Sequence, residues 1–326
     1  MNKNFRIGIM GTGWIAEKMA ITVAGLQDVE LYAVASRSQE RANEFAATWH
    51  FTKAYGSYEQ LVNDPEVDLV YIGTPHSEHF DNMMLCLSAY KPILCEKAFT
   101  ATARQAEQVI NEAHKRNVFV SEAIWTRFMP LSHKIIELAN SGIIGTPNQV
   151  SANLCYPNIE RPRMYLPELA GGALLDLGVY CLNFAAMIFG SDIEETSSSA
   201  MMTKTGVDAA NSITLKYSNN RMAVLWSSNL TKSAREGIIS GENGHLIVEN
   251  INNPQSVSIF NNDYQLVEKI NCEPQITGYE YEVLASMEAI KNKQLVTPFM
   301  SHDETIRIMR QMDELRAAWG VVYPWD

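Results

Sequence analysis

The sequence predicts an α/β protein: a doubly wound parallel sheet in its N-terminal part, then an α+β part with a large, open, mainly antiparallel sheet. Three observations predict it. A glycine-bearing turn, Gly11-Thr12-Gly13-Trp14-Ile15-Ala16, separates a short apolar run from a segment of helical periodicity. Apolar runs and helical segments then alternate as far as about residue 123. Beyond that point half-polar strands and tight turns take over.

The elements follow in order. Phe5 to Met10 reads as a strand, and Ile15, Met19, Val23 and Leu26 lie at helical spacing after it. Leu31 to Ala35 is the second strand; Ala42, Phe45, Ala46 and Trp49 mark a helical face; Lys53 to Tyr55 is a weak third strand. Ser57-x-x-Gln60 and Thr102-x-x-Gln105 have the form of capping boxes, in which each side chain satisfies an orphan amide. Asp68 to Gly73 is almost continuously apolar, as a strand buried on both faces should be. Phe80 to Ala89 is helical, Pro92 to Glu96 a strand, the helix from Thr102 ends near Asn117, and Val118 to Ala123 is the sixth strand. Such alternation implies parallel strands joined by right-handed crossovers. Further on, a helix is predicted from about Phe128 to Ser141. Val150, Ala152, Leu154 and Tyr156 alternate as in a half-solvated strand, and an apolar helix runs from Gly171-Gly172 to near Gly190. Thr196 to Val267 reads as strands with turns at Ser218-Asn219-Asn220 and Glu242-Asn243-Gly244. Two helices close the chain, the last with Ile308, Met312, Leu315 and Trp319 on one face. Two domains are expected, residues 1–123 and 124–326.

With 326 residues the chain is long enough for sizeable cores. Its formal net charge of -11, without a basic cluster, disfavours nucleic acid and anionic membranes as partners. No apolar run approaches the roughly 20 residues of a membrane helix. The N-terminus enters a strand almost at once and leaves no room for a signal peptide, so a cytoplasmic protein is expected. Cys86, Cys95, Cys155, Cys181 and Cys272 form no ligand pair and sit in apolar surroundings, which reads as buried reduced thiols.

The glycine turn carries the first functional expectation. Gly11 makes the tight turn, Gly13 lets the backbone approach a pyrophosphate, and the small Ala16 permits close helix–strand packing. The amides of Thr12, Gly13, Trp14 and Ile15 then face phosphate oxygens at a helix N-terminus. This is the arrangement of a Rossmann dinucleotide site. The second strand ends Ala35-Ser36-Arg37-Ser38, without the carboxylate that accepts from the ribose 2′-hydroxyl of NAD. Ser36 and Arg37, helped by Arg41, suit a 2′-phosphate, which favours NADP and leaves NAD open. The alternative for Arg37 is a solvated loop residue.

Three further segments hold candidate chemistry: Gly73-Thr74-Pro75-His76-Ser77-Glu78-His79, Leu94-Cys95-Glu96-Lys97, and Gly171-Gly172-Ala173-Leu174-Leu175-Asp176-Leu177-Gly178-Val179-Tyr180. The first two lie at carboxyl ends of parallel strands, where such sheets bind ligands. On an α-helix Asp176 and Tyr180 would share a face.

Together with the glycine turn, these segments resemble the glucose–fructose oxidoreductase / inositol dehydrogenase / MocA-type family over essentially the whole chain. Tyrosine at 180, where many members carry histidine, is similar to the dimeric dihydrodiol dehydrogenase / NADP-dependent D-xylose dehydrogenase branch. So are the opening Gly8 to Ala16 and the closing Gly320 to Asp326. The resemblance implies that Tyr180 is the general acid/base in hydride transfer between nicotinamide and a sugar or cyclic vicinal diol. A free phenol titrates near ~10, and a lysine ammonium within about 4–6 Å favours the phenolate. Lys97 is that lysine, and it also holds the nicotinamide ribose. Asp176 orients substrate or Lys97, His76 and His79 border nicotinamide or substrate, Trp125 walls the substrate pocket, and Thr74, Pro75 and Glu96 belong to the cofactor site. The family usually has proline after the lysine, where this chain has Ala98, and often asparagine in place of His76. Each of these residues also has an ordinary structural reading. His76-x-x-His79 could pair on a metal, but no third ligand is evident and no metal is expected. Arg127, Arg161 and Arg163 face an anionic ligand or solvent. An anhydro-sugar or sugar-phosphate reductase and a non-catalytic NADP sensor stand as alternatives. A homodimer or higher oligomer is expected, because the open face of the second sheet needs a cover.

Overall fold

The computed structural model describes residues 4–326. The chain forms two compact units. The first contains residues up to Ile124 together with Gln275–Met309, and the second contains Trp125–Pro274 and Arg310–Asp326.

In the first unit the order is β1 (Phe5–Met10), α1 (Trp14–Ala24), β2 (Val29–Ala35), α2 (Gln39–Trp49), β3 (Lys53–Tyr55), α3 (Tyr58–Val62), β4 (Leu69–Ile72), α4 (His76–Ser88), β5 (Ile93–Glu96), α5 (Ala103–Arg116) and β6 (Val120–Ala123). The strands form one parallel sheet in the order β3-β2-β1-β4-β5-β6. Strand order reverses between β1 and β4, and ligands bind such sheets at this switch point. β4 and β5 are buried along their whole length, which is why they read as unbroken apolar runs. Ser57 and Thr102 cap their helices by accepting from Gln60 and Gln105 amides. The return bonds of both boxes land one residue early, on the amides of Gly56 and Ala101.

The second unit begins with a 3-10 turn at Trp125–Phe128. It continues through α6 (Pro130–Asn140), β7 (Pro147–Cys155), α7 (Pro162–Tyr165), one π-helical turn at Leu174–Gly178, and α8 (Val179–Phe189). The strands β8 (Ile193–Met202), β9 (Asp208–Tyr217), β10 (Arg221–Ser228), β11 (Gly237–Gly241), β12 (Gly244–Glu249), β13 (Ser256–Asn261) and β14 (Leu266–Asn271) follow. With β7 they make an eight-stranded sheet, ordered β14-β13-β12-β11-β7-β10-β9-β8. Its pairs are antiparallel except β10 with β7. The buried α8 packs on β7 and β10. Ala223 and Leu225 of β10 face inward, while Met222, Val224 and Trp226 are exposed.

α9 (Glu280–Lys291) belongs to the first unit, and α10 (His302–Trp319) is shared between the two. The sequence assigned all of 124–326 to the second domain, whereas Gln275–Met309 joins the first. The reason lies on β6, the edge strand. Val120 donates its amide to Leu295 O at 2.9 Å, and its carbonyl meets His302 Nε2 at 2.9 Å. Glu122 Oε2 accepts from Thr305 Oγ1 at 3.0 Å. An uncovered edge leaves backbone donors without partners, and this later segment supplies them.

Two further expectations are corrected. The helical stretch Pro167–Phe189 is long and apolar enough to cross a membrane by length and composition, but 89% of its apolar window is buried, as in a core helix. Cys272 is only half-buried; burial pushes the thiols of Cys86, Cys95, Cys155 and Cys181 up.

Asp64 ties β3 to the loop before β4. Its carboxylate accepts from Lys53 Nζ at 2.8 Å, Tyr55 Oη at 2.7 Å and the Glu66 amide at 2.9 Å. Burial raises its pKa, but these donors outweigh burial and hold it at about 2. A lowered folded pKa gives stability that is present above the ordinary 3.8 and is lost as pH falls through about 2. Asp64→Asn is therefore expected to melt lower than the native chain at pH 7. The gap should close on acidification across that window, as followed by thermal melts in a pH series.

Candidate active site

At the switch point Gly11 donates its amide to Ala35 O at 2.9 Å, and Gly73 donates to Met10 O at 3.0 Å. Gly11 has φ +101, and a Cβ on it would stand 3.0 Å from Gly73 O. Only glycine satisfies both conditions. A Cβ on Gly13 would meet nothing within 4 Å, so the space outside it is open to a ligand. Gly13 is also the N-cap of α1 and has no side chain to occupy the free amides there.

A cleft opens on this turn. Its lining brings together Gly11, Thr12, Gly13, Ser36, Arg37, Arg41, Thr74 and Pro75, all expected from the sequence. Ser38, Tyr58 and Gly73 line it as well and were missed. The capping box at Ser57 had placed Tyr58 at a helix start, and Gly73 closes the fourth strand, so position alone could have suggested both. Burial raises the Tyr58 phenol and the nearby Arg37 charge opposes that rise. No carboxylate lines the cleft among the described residues. A glycine cradle, free helix amides and a cationic rim fit a dinucleotide bearing phosphates.

Other predicted residues lie elsewhere. Trp14 is 60% exposed on α1, and Ile15 presses on Gly73 from the helix side. Helix α4 starts at His76, earlier than predicted, because Pro75 at the N-cap sets φ at -59. His79 therefore lies in the first turn, fully buried. Nδ1 is 2.9 Å from Ala98 O and Nε2 is 2.9 Å from Thr74 O. The sequence set His79 beside nicotinamide or substrate; its ring joins two backbone loops. Burial lowers its pKa against the pull of those carbonyls. His76 Nε2 is 3.1 Å from Lys97 O. The Lys97–Ala98 peptide is cis, where the family usually has proline. Glu96 is buried: Tyr71 Oη donates to Oε1 at 2.5 Å and the Lys97 amide donates to Oε2 at 3.2 Å. Its carboxylate thus anchors the turn that presents Lys97.

The second unit holds the other candidates. Asp176 lies in the π-helical turn and Tyr180 in the first turn of α8. The sequence took a uniform α-helix for this pair; Asp176 lies within a π turn that ends at Gly178, and Tyr180 follows in α8. Trp125 Nε1 donates to Tyr180 Oη at 2.9 Å, and both side chains are buried. Asp176 Oδ1 is 3.1 Å from Arg163 Nη1, an ion pair not foreseen. Arg127 Nε donates to Asn183 Oδ1 at 2.6 Å.

A parallel sheet of this order with a glycine cradle at its switch point defines a dinucleotide-binding protein. Residues 5–124 match the oxidoreductase family with an NAD-binding Rossmann fold, GFO/IDH/MocA, and residues 132–247 match the GFO/IDH/MocA C-terminal domain. The chain belongs to this oxidoreductase family. It is 34% identical to the trans-1,2-dihydrobenzene-1,2-diol dehydrogenase of Xenopus laevis, covering 97% of this chain and 98% of that protein. It is 29% identical to the scyllo-inositol 2-dehydrogenase (NADP(+)) of Bacillus subtilis, over 98% and 99% respectively. A 3-ketoreductase from Actinomadura kijaniata, solved with NADP and TDP-benzene, shares the fold with TM-score 0.87 at 22% identity, over 96% of this chain and 97% of that one.

The two glycines of the cradle predict different variants. Gly11→Ala should lower the melting temperature, because φ and the Gly73 carbonyl both oppose a Cβ. Gly13→Val should leave the melting temperature nearly unchanged yet abolish dinucleotide binding by calorimetry.

Proposed function

We propose that this protein is an NADP-dependent oxidoreductase that moves a hydride between nicotinamide and a CH–OH carbon of a sugar or cyclic vicinal diol. The observation that carries the choice of cofactor is the rim of Ser36, Arg37 and Arg41 beside the glycine cradle, in a cleft lined by no carboxylate among the described residues. Guanidinium groups bind a 2′-phosphate bidentately, whereas NAD sites use a carboxylate there. The names of the relatives, which act on a dihydrodiol and an inositol, support the substrate class.

When bound, the nicotinamide accepts or donates the hydride. Thr12 and Gly13 would hold its pyrophosphate through backbone amides, with Gly11 shaping the turn, and Ser36, Arg37 and Arg41 its ribose phosphate. Tyr180 Oη takes the proton of the substrate hydroxyl in oxidation and returns it in reduction. A donated hydrogen bond favours the anionic form of its acceptor, so Trp125 Nε1 both aims the phenol and supports its phenolate. Lys97 supplies the cation that general-base action by a phenol requires at neutral pH. Asp176, held by Arg163, orients the substrate hydroxyls.

Absorbance at the nicotinamide band with pentoses, hexoses, inositols and diols tests the reading. Turnover is expected with NADP, and Tyr180→Phe or Lys97→Met should lower kcat by about 10²–10⁴, the range of general acid–base catalysis. Arg37→Ala should weaken NADP about tenfold or more with little change for NAD. No turnover of any substrate, or native rates in the Tyr180 and Lys97 variants, would remove the proposal. We also propose a homodimer or larger assembly through the exposed Met222, Val224 and Trp226 face. Light scattering should give at least twice 36.5 kDa, and Trp226→Glu should shift it toward the monomer.

A further inference from the structure

Asp208, at the head of β9, is 0% exposed. Its Oδ2 accepts from the Leu174 amide and from Asn211 Nδ2, each at 2.8 Å. Asn211 Oδ1 accepts from Ser227 Oγ of β10 at 3.0 Å, and the same hydroxyl lies 3.5 Å from Ala173 O. The peptide between Ala173 and Leu174 is therefore held through its N–H by Asp208, and Asn211, which also donates to Asp208, is held in turn by Ser227. One step back, Tyr323 Oη donates to Gly171 O at 2.5 Å. Gly172, at φ +127, approaches so closely that a Cβ would stand 2.3 Å from Asp208 Oδ1.

Leu174 is the first residue of the π-helical turn. A π turn holds one residue more than an α turn, so its register depends on where its first amide is fixed. A slip of one residue would turn Asp176 and Tyr180 by roughly 100° about the axis, the angular step of a helix. We propose that Asp208 is the positioning residue for Asp176 and Tyr180: it touches neither, and it sets both by holding the Leu174 amide. This rests on the proposed roles of those two residues in hydride transfer.

The choice of aspartic acid has a consequence. Oδ1 is buried without a hydrogen-bond partner. An ionised carboxylate there is poorly solvated at that oxygen. Burial pushes Asp208 up to about 7, against the lowering effect of Asn211 and the Leu174 amide. Near neutrality the group thus exchanges a neutral acid for a poorly solvated anion at the point where the turn is held. The titratable groups on the elements around it are Asp176 on the turn, Arg163 and Tyr165 on α7, Tyr323 of the tail and, at the far ends of the strands, Lys216 and Tyr217 on β9 and Arg221 on β10. Arg316, Asp313 and Asp326 lie around the Tyr323 ring. The Asp208 carboxyl helps to raise the Tyr323 phenol, after burial.

The test uses the full chain and two readouts. The first is the indole ¹H–¹⁵N resonance of Trp125, assigned with Trp125→Phe, which reports the bond to Tyr180 without any substrate. The second is the pH profile of kcat. In the native chain both are expected to titrate with a midpoint near 7. Asp208→Asn keeps an oxygen for Leu174 and cannot ionise; the transition near 7 should vanish from both, with the resonance near its native low-pH position. Asp208→Leu should displace the resonance and lower kcat about 100-fold, the effect of roughly 1 Å of misplacement, while NADP affinity stays within about twofold. An Asp208→Leu protein with native resonance and native kcat overturns the proposal. So does an Asp208→Asn protein whose indole resonance keeps the transition near 7, and this variant decides alone if the leucine protein does not fold. If no substrate turns over in any form, the functional reading fails, and the indole resonance still decides the positioning role.

Discussion

Pairing of β1 with β4 is the constraint on which the first unit depends. Strand order reverses there, so the loops that leave the two strands diverge and leave a crevice between them. The same pairing brings Gly11 against the Gly73 carbonyl, at a distance no side chain tolerates. That closeness directs the free amides of α1 outward, into the space that Gly13 leaves open. The cationic rim at the end of β2 is positioned by its own place in the ladder, where the Ser36 amide bonds to Tyr55 O. Cradle and rim are therefore products of sheet geometry, with few side chains needed to build them.

The second unit solves a different problem. It must present a carboxylate and a phenol from a helix whose other residues are core. The π-helical turn gives Asp176 and Tyr180 a relation that a uniform α-helix would not, and π turns recur at functional sites for that reason. The arrangement relies on polar partners from β9, β10 and the C-terminal tail, all buried. Arg163 adds charge compensation for Asp176, and Trp125 adds a directed donor for Tyr180.

Much of this was legible in the sequence because it is written locally. The alternation of periods that marks β1 to β6, the glycine turn, and the absence of a carboxylate after β2 each lie within a short window. What was not legible depends on partners far apart in the chain. The π turn has the same apolar pattern as an α turn, and the Asp208 carboxylate that holds its first amide lies some thirty residues later. The pairing of His79 with the Thr74 and Ala98 carbonyls cannot be read from a histidine near a proline. Arg163 and Asp176 were both noticed, but not as partners. The assignment of Gln275–Met309 to the first unit follows from the backbone needs of an edge strand, and no composition or periodicity expresses those.

That late segment bears on how the molecule is made. A chain emerging from the ribosome offers the glycine turn and all six parallel strands first, and domains fold in the order of synthesis where they can. Here β6 must wait for Leu295, His302 and Thr305 before its outer edge is closed. The unit whose strands are translated first is closed only after the whole second sheet has been synthesised.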